Sequence, residues 1–130
     1  MNIDKIITNI DTLPPAVQRR YRNEVKLVTW CIDKILATGN WKLRSVDIGE
    51  GDTKIKYDEA GLSEIFAGDE ALVFFRHVNN GGIAWFQGIW GNGNEGWDAL
   101  GNWSIPDPSD GFDEALEAVW PEIEKWKVGL

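Results

Sequence analysis

One cysteine, one histidine and one methionine occur in 130 residues, and each scarcity narrows the chemistry available. The lone Cys31 cannot close an internal disulfide, and a zinc clip of the usual kind needs more than one cysteine. A reducing, cytoplasmic setting is the simplest expectation. Any nucleophile–base pair would have to run through His77, with Cys31 or a serine as nucleophile, and nothing announces the orienting acid or oxyanion hole. No run of roughly 18 apolar residues occurs, so no membrane-spanning helix is expected. The N-terminal MNIDKIITNI has an early acid and no continuous apolar core, unlike a secretory leader.

Basic charge is also scarce. Thirteen Lys and Arg face 21 Asp and Glu, and the net charge is −8. The imbalance is uneven: residues 1–44 carry eight basic against four acidic side chains, whereas residues 45–130 carry five against seventeen. Such a balance disfavours direct binding to nucleic acid or anionic membrane and suits steering toward a basic protein. With 43% hydrophobic residues the chain is globular, and its length fits a single domain over residues 1–130.

What is abundant is tryptophan, eight in all, and four of these fall between Ala71 and Trp103. Two apolar runs there, Ala71–Val78 and Ile83–Trp90, flank Asn79-Asn80-Gly81-Gly82, which predicts a β-hairpin. An Asn80-Gly81 turn pairs His77 with Ala84, Phe75 with Phe86, and Arg76 with Trp85. One face then carries Val73, Phe75, His77, Ala84, Phe86 and Trp90, and should meet a helix. The other carries Leu72, Phe74, Arg76, Val78, Ile83, Trp85, Gln87 and Ile89. The simpler reading covers this second face too, with Arg76 stacked on Trp85. The alternative leaves it partly open as an aromatic recognition surface.

Around the hairpin the order is helix, strands, helix. Asn2–Ile10 has isoleucines at helical spacing. Ala16–Thr38 is the longest helix, with Val17, Tyr21, Val25, Val28, Ile32 and Ile35 on one stripe and Gly39-Asn40 as its stop. Arg19, Arg22, Lys26 and Trp30 share the opposite side, read as solvated charge with Trp30 packed under the N-terminal segment. Trp41–Ile48 and Thr53–Tyr57 are two further strands, and a short helix lies around Leu62–Phe66. Gly91–Gly96 reads as a flexible connection, and Trp97–Ile105 contains a weak fifth strand. Asp110, with Asp113 three residues on, is expected to cap a final helix from Gly111 to Trp126, with Phe112, Leu116, Val119, Trp120 and Ile123 buried. Pro121 should kink or split it. The fold class is α+β: an antiparallel four- or five-stranded sheet packed against a long N-terminal helix and a C-terminal helix.

No motif marks a catalytic residue, a metal ligand or a cofactor site. The glycines of GNGNEG lack the strand–loop–helix setting of a nucleotide fingerprint, and Glu95 would repel phosphate. Asp107, Asp110 and Asp113 lack the ligand order of a calcium loop. The tryptophans remain as candidate anchors, because indole buries much area at little entropic cost. Trp90, Trp97 and Trp103 flank the Gly91–Gly96 loop. With Trp85 and Arg76, and with the acidic side chains Glu95, Asp98 and Asp107, they make the candidate binding residues.

Small, acidic, tryptophan-rich, α+β and without a catalytic set, the chain resembles bacterial immunity proteins and phage-encoded inhibitors in composition. The resemblance implies a non-enzymatic protein that occludes a basic partner, such as a nuclease toxin or another nucleic-acid-handling enzyme. The alternative is a small-ligand or glycan-binding module built on the tryptophans.

Overall fold

The computed structural model describes residues 1–128. Its elements in order are α1 (Pro15–Ala37), β1 (Trp41–Asp47), β2 (Asp52–Lys54), α2 (Glu59–Ile65), β3 (Glu70–His77), β4 (Ile83–Ile89), β5 (Leu100–Trp103), α3 (Phe112–Glu117) and α4 (Val119–Val128). The five strands form one antiparallel sheet in the order β2-β1-β3-β4-β5. This is the expected α+β arrangement of an antiparallel sheet, a long N-terminal helix and a C-terminal helix. Pro15 opens α1, where its missing N–H costs nothing, and Gly39 in left-handed conformation (φ +76°) closes it.

The hairpin forms with a register two residues from the expected one. Phe75 lies opposite Ala84, Phe74 opposite Trp85 and Arg76 opposite Ile83, so the Arg76–Trp85 pairing is corrected. The loop is Val78-Asn79-Asn80-Gly81, closed by His77 N donating to Gly82 O at 2.7 Å and Gly81 N to His77 O at 3.1 Å. The backbone N–H groups of Asn79 and Asn80 donate to His77 Nδ1 at 3.2 and 3.3 Å, and this side-chain cap favours the wider loop over the Asn-Gly turn. A shift of two residues preserves strand faces, whereas a shift of one would invert them. Val73, Phe75, His77, Ala84, Phe86 and Trp90 are accordingly all buried.

His77 is a hydrogen-bonded core residue. With Nδ1 accepting from the loop, Nε2 carries the proton and donates to Asp110 Oδ1 at 3.1 Å. The Asp110 carbonyl accepts from Trp41 Nε1 and Asn40 Nδ2, both at 3.1 Å. Asp110 is therefore turned inward and does not cap the final helix. Gly111, with φ +78°, holds that position, and Asp113 accepts from Trp103 Nε1 at 2.7 Å instead. Replacing His77 with Phe keeps the edge-on contact to Trp41 but removes three hydrogen bonds. Urea unfolding is expected to show a loss of about 1–2 kcal/mol, because the loop N–H groups can turn to water whereas Asp110 loses its partner.

The N-terminal segment and the C-terminal helix depart from the periodic reading. Asn9 has a left-handed backbone (φ +58°), so Asn2–Ile10 forms no continuous helix but short 3-10 turns at Ile3–Lys5 and Ile10–Thr12, with Ile6, Ile7 and Ile10 buried. Pro121 cannot donate to the Glu117 carbonyl, and the final helix divides at Ala118 into α3 and α4. The buried spacing carries across the break: Val119 and Ile123 continue the stripe of Phe112 and Leu116, whereas Trp120 lies at its edge and turns outward, 42% exposed, correcting its assignment to the buried stripe.

Candidate binding site at the tryptophan-lined end

The loop from Trp90 to Trp97 is pinned rather than free. Trp90 is buried on Phe66, with ring centroids 4.2 Å apart, and its Nε1 donates to Ile65 O at 3.0 Å. A Cβ on Gly88 would stand 2.1 Å from the Trp90 ring, so glycine is what admits the indole. Glu24 of α1, wholly buried, accepts from Gly91 N at 2.8 Å and from Arg20 Nη1 at 3.1 and 3.2 Å on its two oxygens. Asn23 Nδ2 donates to Glu95 O at 2.8 Å, and Asn92 Nδ2 to Asp98 O at 2.7 Å. One turn of α1 thus holds both ends of the GNGNEG segment, correcting the expectation of a flexible connection. Burial raises the Glu24 carboxyl above its ordinary value of 4.5, against the opposing pull of the Gly91 N–H and Arg20.

The pinned loop delivers Trp97 to α4. Trp97 packs on Trp126 at 5.5 Å between centroids, and Trp126 meets the edge of Trp30 at 6.3 Å. Trp30 therefore packs on the C-terminal helix, not under the N-terminal segment. Lys26 lies over Trp126 at 4.8 Å and Lys34 over Trp30 at 5.3 Å, so the two rings also serve cations of α1. On the neighbouring side Trp103 of β5 lies 6.3 Å from Trp120, which is offered to solvent.

Between these rings lies a groove of about 440 Å³. Trp97, Trp120, Pro121 and Ile123 supply apolar walls, and Asp98, Glu124 and Lys127 supply charge. Lys127 stands 3.8 Å from Glu124, which leaves Asp98 as the carboxylate without an ion pair among the described residues at the groove. Trp97 is only 3% exposed, yet its Nε1 has no hydrogen-bond partner, the one such buried side-chain atom among the described residues. A buried indole N–H ordinarily finds an acceptor.

Trp97, Asp98 and, through Trp120, Trp103 therefore converge on one groove. Trp85 and Arg76 lie elsewhere, on the sheet face away from the helices. Trp90 is interior and presents no free ring face. Glu95 is exposed on the pinned loop. Asp107 is exposed and caps the 3-10 turn Pro108–Asp110; its bonds from Ser109 N and Oγ hold its carboxyl below the usual range. Trp120 is the groove residue that was expected in the buried stripe, and the signal for it was its place at the edge of the arc set by Phe112, Leu116, Val119 and Ile123.

The remaining reactive groups are engaged in structure. Cys31 is buried, and desolvation pushes its thiol up to about 12, which leaves it a packing residue rather than a nucleophile. Tyr57 donates to Asp33 Oδ1 at 2.7 Å, and burial together with that neighbour raises its hydroxyl. Among the described residues no three His, Cys, Asp or Glu side chains converge as metal ligands, and no helix is long and apolar enough to cross a membrane. No family model, curated protein or solved structure matches the chain.

Proposed function

We propose that this is a non-enzymatic, acidic binding protein of the immunity-protein or inhibitor type, acting in the cytoplasm on a basic protein partner. The observation that supports this reading is the groove at α4, where the exposed Trp120 ring stands beside the unpaired Asp98 carboxylate. A lysine or arginine of the partner would find an aromatic face and an anion together, the pairing that recurs at interface anchor points. The unpaired Asp98 at the groove, with the exposed Glu95 on the preceding loop, would steer the approach.

The test is capture from host lysate on immobilised wild-type, Trp120→Ala and Asp98→Lys proteins. A basic protein held at low salt should be lost at high salt and lost by both variants. Equal retention by all three baits removes the groove from the reading. With the purified pair, Trp120→Ala is expected to weaken affinity about 30-fold or more. Changing Glu95, Asp98 and Asp107 together to lysine should slow association about tenfold and flatten its salt dependence. An unchanged on-rate would sink the electrostatic part.

A small-ligand or glycan module is the second reading. The size of the groove and its Trp97 and Trp120 walls favour it, since both suit a ring-bearing ligand. Quenching of tryptophan emission by a soluble glycan, abolished in Trp120→Ala, would support it over the protein partner.

A further inference from the structure

Among the described residues, helices cover the sheet on one side only. The opposite face of β3 and β4 carries Leu72, Phe74, Trp85 and Ile89, all half-buried, with Ile83 46% exposed at the hairpin end. The expectation that this face is covered is thereby corrected: both helical layers lie against Val73, Phe75 and Phe86 on the other side.

On β1 and β3 the charge of this open face is sorted by end, with Lys54 of β2, opposite Ser45, beside the acidic end. Near the hairpin loop, Lys42 of β1 lies directly opposite Arg76 of β3. At the far end Asp47 of β1 lies directly opposite Asp52 of β2, and Glu70 begins β3. Like charges placed directly across a ladder are unfavourable. Arg44 relieves Asp52 at 3.0 Å, but among the described residues Lys42, Arg76, Asp47 and Glu70 have no ion-pair partner. One face therefore holds an uncompensated cationic pair and an uncompensated anionic group, separated by an aromatic middle.

We propose that this face docks a second copy of the chain, sheet against sheet, about a two-fold axis that lies between the sheets and runs across the strands. That axis sets β1 over its symmetry mate and β3 over its own, with strand directions reversed. Lys42 then meets Asp47 of the second copy, Arg76 meets its Glu70, and Leu72 and Phe74 sit beside the axis. A two-fold axis along the strands would instead bring cation onto cation, so the charge pattern selects one arrangement. An isologous contact of this kind closes at two copies. At about 4.8 Å between strands and 3.3 Å per residue, the three long strands with the short β2 and β5 present roughly 450 Å² in projection, about half of what each partner gives to a stable interface. The dimer is accordingly weak and concentration-dependent.

Sedimentation velocity over about a hundredfold range of concentration tests this. The wild type should pass from monomer to dimer, and added salt should shift it back. Arg76→Glu sets a carboxylate against Glu70 of the second copy and should remain monomeric; Glu70→Arg places two cations together and should do the same. Mixed in equal amounts, the two variants should form a heterodimer, because both contacts are then opposite in sign. The double variant should restore the homodimer. Each residue is exposed, and circular dichroism confirms that each variant is folded before it is scored. A wild type that stays monomeric throughout overturns the proposal, as does a dimer that survives Arg76→Glu or single variants that fail to associate when mixed. Trp120→Ala should leave this equilibrium unchanged, so failure of the groove reading and failure of the dimer are separately visible.

Discussion

Replacing Glu24 with alanine is expected to cost about 3–5 kcal/mol in urea unfolding, among the largest losses available to a single side chain here. The carboxylate is wholly buried and receives three hydrogen bonds, two from Arg20 and one from Gly91 N. Its removal strands a largely buried guanidinium and leaves a loop N–H without an acceptor. It also frees the loop that positions Trp97, so tryptophan emission should shift to the red together with the loss of stability. Glu24→Gln preserves shape but presents one amide N–H₂ to a donor, and is expected to cost about 1–3 kcal/mol.

The pH dependence of that difference has a definite sign. The folded Glu24 carboxyl sits above its ordinary 4.5, because desolvation outweighs Gly91 and Arg20. A raised folded value means that the folded state holds this proton more tightly. Its contribution is complete below 4.5 and declines as pH rises through the folded value. Glu24→Gln has no such slope, so the wild-type advantage should be largest in acid and shrink toward neutrality. An advantage that grows with pH would show that the ion pair, not desolvation, dominates the site.

Gly96→Ala is expected to lose about 3 kcal/mol through two additive causes. The backbone there is left-handed, with φ +90°, a conformation that costs a non-glycine residue roughly 1 kcal/mol or more. An added Cβ would also stand 2.5 Å from the Arg20 carbonyl oxygen and 3.0 Å from Glu24 Cγ. The first of these is helix backbone and cannot step aside, so the loop must lift from α1 at a further ~1–3 kcal/mol. Gly49→Ala isolates the conformational part, since its φ is +107° but nothing lies within 4 Å of the new atom. The excess of the Gly96 loss over the Gly49 loss measures the loop–helix contact. Equal losses would mean that the loop is not clamped.

The contrast between these glycines shows why local sequence does not reveal the clamp on this loop. Gly91-Asn92-Gly93-Asn94-Glu95-Gly96 has the composition of a mobile connection, and composition reports local conformational freedom. What holds the segment is Glu24 and Asn23, some seventy residues earlier, and no local pattern records that contact. Arg20 and Glu24 at helical spacing look like an ordinary surface pair until tertiary packing buries the carboxylate.

Other features depended on local periodicity alone and were legible. The 3.6-residue stripe on α1, the alternation on β3 and β4, and the break induced by Pro121 follow from backbone geometry that each segment carries with it. The two faces of the hairpin were assigned correctly even though its register was not, because alternation has period two and the displacement was two residues.

By itself, then, the sequence determined the class of fold, the order of its elements, the faces of the central strands and the scarcity of groups for acid–base or metal chemistry. Only the tertiary structure decided that Trp97 and Trp120 share a groove while Trp90 lies inside, that the acidic residues divide among ion pairs, caps and the groove rim, and that one sheet face stands uncovered. Those outcomes depend on contacts between residues far apart in the chain, where the energy of a side chain is set by what packs against it rather than by its neighbours in sequence.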